Sequence, residues 1–122
     1  MSVDRRALAR AYKETPRPMG VYRVHNRVAD KSLVGTSVDL PSILNRELAQ
    51  LRLRAHRNSA LQADWDALGA DAFTFEVLDT LTPPADAPDY DPRADLQVLE
   101  ALWLERLRPW GARGYNREPA GA

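Results

Sequence analysis

The chain has 122 residues, 17 basic and 17 acidic side chains, and no cysteine. That length suits one domain with its own core, and the absence of thiols excludes disulfides and thiol catalysis and fits a reducing cytoplasm. No apolar run approaches the roughly 18 residues of a membrane span, and the opening Met1-Ser2-Val3-Asp4-Arg5-Arg6 lacks an apolar signal core, so a cytoplasmic protein is expected.

Val3 to Lys13 has helix-forming composition, and Thr15-Pro16-Arg17-Pro18 breaks it. Gly20 to His25 and Ser32 to Thr36 then read as two strands joined by a polar turn around Ala29-Asp30-Lys31. In such a strand Tyr22 and Val24 share one face, and Val21 and Arg23 share the other. A tyrosine in this position either packs into the core or is aimed by the hairpin at a ligand.

Asp39-Leu40-Pro41-Ser42 opens a helix, with Asp39 or Ser42 able to cap it and Pro41 tolerated in the first turn. The helix is expected to run to about Ala55, with Leu44, Leu48, Leu51 and Ala55 as its buried stripe. Arg46, Gln50 and Arg57 project to the opposite side with Arg54 nearby, while Arg52 and His56 add donors at the same end. Such a row of guanidiniums is either a solvated face or a phosphate clamp, because each offers a rigid donor fork.

A second, shorter helix follows from Asn58 and ends at Gly69. Ala72 to Asp79 alternates as a third strand. Thr82 to Pro92 holds four prolines and three aspartates and reads as a loop. Arg93 to Leu107 is the last helix, stopped by Pro109.

In that helix Leu96, Leu99, Trp103 and Leu107 form the apolar stripe, and Glu100 projects onto it whereas Glu105 points away. A carboxylate on a core-facing stripe is costly unless it is paired or binds a cation. The residues alone leave two solutions open, an ion pair to an arginine of a preceding helix or a divalent metal at the sheet edge. The order is therefore helix, hairpin, helix, helix, strand, helix: an α/β (α+β) domain with a small three-stranded antiparallel or mixed sheet flanked by helices. A lead-in over residues 1–17 and a short tail over 117–122 bracket the domain at 18–116.

Charge is unevenly spread. Residues 1–57 carry 12 Lys and Arg against 5 Asp and Glu, and residues 58–122 carry 5 against 12. Either the charges mix in three dimensions, or a basic surface faces an anionic partner.

Taken together, these pieces resemble the GIY-YIG nuclease superfamily. The matching text is Gly20-Val21-Tyr22, Leu33-Val34-Gly35 at the usual separation, the basic helix, the stretch from Leu61 through Val77, Leu99-Glu100-Ala101-Leu102-Trp103-Leu104, and the closing Gly114-Tyr115-Asn116. The resemblance implies a divalent-metal-dependent endonuclease acting on DNA or RNA. Tyr22 matches the first motif tyrosine, near the attacking water or the scissile phosphate. Glu100 matches the single metal-binding glutamate, for Mg²⁺ or Mn²⁺, and Asn116 the closing asparagine that supports the site.

Two positions depart from the family pattern: Leu33 stands at the second motif tyrosine, and Ile43 falls where the family has an arginine. Arg46, one turn further on, is then the catalytic residue expected to hold the phosphate. Lys31, Arg46, Arg52, Arg54, His56 and Arg57 are the expected nucleic-acid contacts. The alternative is a module of the same fold that binds nucleic acid without cutting it.

Overall fold

A hairpin, two helices, a third strand and a last helix follow one another in the computed structural model, which describes residues 17–119. The strands are β1 (Met19–Asn26), β2 (Lys31–Ser37) and β3 (Phe73–Leu81), and the helices are α1 (Leu40–Arg52), α2 (Ser59–Leu68) and α3 (Arg93–Leu107). The helix expected over Val3–Lys13 lies outside the described residues. The sheet runs β2-β1-β3 with both neighbouring pairs antiparallel. No helix among the described residues is long and apolar enough to cross a membrane.

The helix boundaries follow local chemistry. Asp39 caps α1 by accepting a hydrogen bond from the Ser42 N–H at 3.1 Å, and Asn58 caps α2 by accepting from Leu61 N–H at 3.0 Å. α1 stops at Arg52, short of Ala55, because Arg54 enters the left-handed region at φ 56°. Arg57 therefore lies beyond the helix, not on its basic row. Gly69, at φ 84°, ends α2 and returns its N–H to the Trp65 carbonyl.

The buried stripe of α1 also differs from expectation. Leu40, Glu47 and Leu51 are its buried residues, Leu44 and Leu48 are half-buried, and Ala55 is exposed. The core cluster packs Val24 of β1 against Leu51 of α1, Leu61 and Trp65 of α2, Phe73 of β3 and Tyr115 from the C-terminal segment. Trp65 and Phe73 meet with ring centroids 5.2 Å apart, a separation at which tilted rings attract.

β2 is an edge strand, and unpaired backbone on an edge strand invites further pairing. Here the chain fills it with its own C-terminal segment. Asn116 clamps Val34 at both ends, its side chain accepting from the Val34 N–H and donating to the Val34 carbonyl, each at 2.8 Å. The Tyr115 N–H donates to the Ser32 carbonyl at 2.9 Å, and Ser32 and Gly114 form a parallel bridge.

Two features of β1 aim Tyr22. Its register against β3 shifts between Val21, opposite Asp79, and Tyr22, opposite Val77. Such a bulge re-aims neighbouring side chains. On the other side Tyr22 stands directly opposite Gly35 of β2. A Cβ added at Gly35 would lie 2.7 Å from the Tyr22 hydroxyl and 2.8 Å from its ring, so the phenol lies across β2 where a side chain is missing. Gly35→Ala should lower unfolding free energy by about 1–3 kcal/mol through overpacking. Adding Tyr22→Ala should make the alanine at 35 close to neutral, a non-additivity that chemical denaturation of the double variant reads directly.

Candidate active site

The Tyr22 side chain opens into a cleft of about 400 Å³. Its lining comes from β1 (Tyr22), β2 (Leu33 to Thr36), α1 (Glu47), the segment after it (His56, Arg57, Asn58) and α3 (Glu100). Residues from five segments of the chain therefore meet at one place.

A hydrogen-bonded chain runs through the cleft floor. The Tyr22 hydroxyl donates to Glu47 Oε1 at 3.3 Å. The other carboxylate oxygen, Oε2, is hydrogen-bonded by His56 Nε2. The Asn58 N–H donates to His56 Nδ1 at 3.0 Å, so Nδ1 is an acceptor and Nε2 carries the proton. His56 is thus a neutral imidazole that donates to Glu47. Glu47 and His56 are both buried, with 5% and 9% of their surface exposed; a carboxylate so deep is tolerable because each oxygen has a donor.

Burial, above all, pushes the Tyr22 hydroxyl pKa well above the ordinary tyrosine value, and the Glu47 charge, the hydrogen bond to Glu47 and the Glu100 charge add to the rise. Arg57 acts in the opposite sense. The phenol is therefore protonated at neutral pH and available as a hydrogen-bond donor.

Glu100, on the inner side of α3, is half-buried and forms no hydrogen bond or ion pair with any described residue. Of the two solutions open for it, no arginine of a preceding helix pairs with it among the described residues. No group of three His, Cys, Asp or Glu side chains gathers to hold a metal among those residues either. One open carboxylate in a polar cleft nevertheless suits a cation such as Mg²⁺, which keeps several waters and is commonly held by one or two carboxylates together with substrate phosphate.

The remaining expected residues scatter. Arg46 is exposed on α1 and does not line the cleft, since adjacent helical residues point about 100° apart and its neighbour Glu47 faces in. Arg57 is the guanidinium at the cleft wall. Arg52 is exposed; Arg54 lies 3.8 Å from Asp66. Lys31 lies 3.8 Å from Asp64 and sits over the Tyr115 ring.

His56, expected as a surface donor, is turned inward with both ring nitrogens engaged. Leu33 forms an apolar wall of the cleft and packs on the core. Ile43 is half-buried and outside the cleft lining. Asn116 does not line the cleft; it holds the β2 backbone at Val34, next to Gly35.

Sequence reasoning missed Glu47. The signal was present: Leu40, Leu44, Glu47 and Leu51 fall at helical spacing on one stripe, the same anomaly that marks Glu100.

Among the described residues a three-stranded antiparallel sheet with three helices makes a GIY-YIG-like fold. The solved catalytic domain of the homing endonuclease I-TevI matches with a TM-score of 0.63 and 22% identity, over 80% of this chain and 96% of that one. A mutant form of the same intron endonuclease domain matches with a TM-score of 0.66 and 20% identity, over 86% of this chain and 99% of that one. No protein-family model matches the sequence, and no curated protein matches it.

Two buried phenols set the alkaline behaviour. Tyr115, raised first by burial and then by its hydrogen bond to Asp64, behaves like Tyr22. In the unfolded chain both ionise near pH 10. A raised folded pKa means the native state binds the proton more tightly, so this contribution is complete below pH ~10 and is lost as pH rises beyond it. Denaturation midpoints should therefore fall above pH ~10, and Tyr22→Phe should flatten that fall. Tyrosinate absorbance should show Tyr22 ionising earlier in Glu47→Gln and Glu100→Gln and later in Arg57→Gln.

Proposed function

We propose that this protein is a divalent-metal-dependent endonuclease of GIY-YIG type that hydrolyses phosphodiester bonds in DNA or RNA. The observation that carries the reading is the pair formed by Tyr22 and an unpartnered Glu100 across one cleft, in a fold shared with an endonuclease catalytic domain.

In this reading Tyr22 and Glu47 work as one proton-accepting unit. A water attacks phosphorus, forming a new P–O bond as the bond to the leaving ester oxygen breaks. The water proton passes to the Tyr22 oxygen while the Tyr22 proton moves to Glu47 Oε1, already its hydrogen-bond acceptor. His56 stays bonded to Oε2 and holds the carboxylate in place. Solvent returns a proton to the leaving oxygen.

With leucine at position 33 no second phenol is available, and Glu47 supplies a basic group already hydrogen-bonded to Tyr22. Arg57 at the cleft wall opposes the phosphate charge, and Arg46 contacts the strand further along. Glu100 would hold Mg²⁺ or Mn²⁺, which when bound would supply Lewis acidity toward the phosphate. Asn116 keeps β2, and hence Gly35 under the Tyr22 ring, in register.

The alternative, a nucleic-acid-binding module without cleavage, is favoured by Leu33 and Ile43 standing where the family has a tyrosine and an arginine. It retains Lys31, Arg46, Arg52, Arg54 and Arg57 as contacts. Incubation with labelled single- and double-stranded DNA and RNA plus Mn²⁺ separates the two readings. Cleavage is expected in the wild type and should drop by roughly 10²-fold or more in Tyr22→Phe, Glu47→Gln and Glu100→Ala. Mn²⁺ affinity by calorimetry should fall only in the last. Equal cleavage in wild type and Glu100→Ala would falsify the nuclease assignment, whereas salt-dependent binding with no metal-dependent cutting establishes the alternative.

A further inference from the structure

The C-terminal half of the chain is acidic, yet Arg106, Arg108, Arg113 and Arg117 fall within twelve residues of one another. Two of them, with Arg23 of β1, line a separate depression of about 210 Å³ whose other walls are Asp30, Ser32, Leu107 and Pro109. Along β1 and β2 the residues at this depression, Arg23 and Ser32, alternate with cleft residues Tyr22 and Leu33. Side-chain alternation therefore directs Arg23 and Tyr22 to opposite faces of β1.

The three guanidiniums are not equivalent. Arg23 is committed to Glu76 of β3, donating through Nε at 2.9 Å and Nη2 at 3.2 Å. Arg106 and Arg113 form no ion pair with any described residue. Arg106 lies over the Trp103 ring, 5.2 Å from its centroid. Asp30, the acidic member of the lining, is 92% exposed and lies 3.5 Å from His25.

The segment beneath is closely packed. Pro109 is fully buried, and a Cβ at Gly114 would meet the Pro109 carbonyl at 2.1 Å. The Asn116 N–H and the Pro109 carbonyl close this segment at 2.9 Å. Both unpaired guanidiniums are exposed and line one depression, where an anion would offset their like charge, and their planar forks match phosphate oxygens.

We propose that this depression binds a backbone phosphate of the nucleic-acid strand away from the scissile position, through Arg106 and Arg113. The inference rests on the nucleic-acid reading of the cleft. The two sites are linked mechanically, because Glu100 and Arg106 are six residues apart on α3, roughly 9 Å along its axis. A strand that passes round the β2 edge reaches both.

The test uses the full chain carrying Glu100→Ala, with chelator present, so that binding is read without cleavage. Affinity for labelled random-sequence DNA and RNA is measured against salt. Arg106→Gln/Arg113→Gln should weaken binding of the preferred nucleic acid roughly tenfold at low salt and reduce the slope of log K against log salt by about two. Arg106→Lys/Arg113→Lys, which keeps both charges, should retain the slope, and that retention excludes misfolding as the cause.

An unchanged slope in the glutamine variant overturns the proposal; if Arg57→Gln still weakens binding in that case, the cleft reading survives alone. No binding by any form removes both. If inorganic phosphate shifts the Arg106 and Arg113 Nε–H resonances but the oligonucleotide does not, the site serves a free anion and the proposal is likewise overturned.

Discussion

Glu47 is the constraint around which the rest of this structure is arranged. A carboxylate with 5% of its surface exposed is stable only if both oxygens are hydrogen-bonded, and the two donors come from different elements. Tyr22 reaches it from β1, and His56 reaches it from the segment between α1 and α2. The neutral tautomer of His56 is in turn set by the Asn58 N–H, and Asn58 also caps α2 and bonds the Tyr115 carbonyl. One buried charge thus ties hairpin, first helix, second helix and C-terminal segment into a single arrangement.

The same constraint shapes the chemistry available. Tyr22 can cross β2 only because Gly35 opposite has no side chain, and β2 stays in place because Asn116 occupies its free edge at Val34. Burial and two neighbouring carboxylates keep the phenol protonated, while Arg57 pulls the other way. The cleft therefore joins a proton donor with a bonded acceptor to an open carboxylate, Glu100. In the proposed nuclease these become the proton relay and the metal ligand. α3 links this cleft to the arginine depression, since one helix carries Glu100 at the first and Arg106 at the second.

Some features were legible because they depend on near neighbours in the chain. Capping at Asp39 and Asn58, the stop at Gly69, the strand alternation and the inward placement of Glu100 all follow from spacing and local hydrogen bonding. The Gly-Val-Tyr and Leu-Val-Gly pattern carried the fold, which the likeness to the I-TevI catalytic domain bears out at 20–22% identity. Where local reading extended a regular element too far, it misplaced side chains. Continuing α1 to Ala55 put Arg57 on a solvent-facing row and His56 on the surface, whereas the left-handed turn at Arg54 sends one to the cleft wall and the other inward.

The sequence by itself determined the element order, the three-stranded α+β architecture and the anomalous glutamate of the last helix, because periodicity and capping are properties of consecutive residues. Tertiary structure alone decided which groups share the cleft. Tyr22, Glu47, His56, Arg57 and Glu100 come from four separate segments, and their approach depends on a strand register, a bulge and a missing side chain at Gly35. Those are long-range packing outcomes, settled when each buried polar group finds its partner, and helical or strand spacing does not encode them.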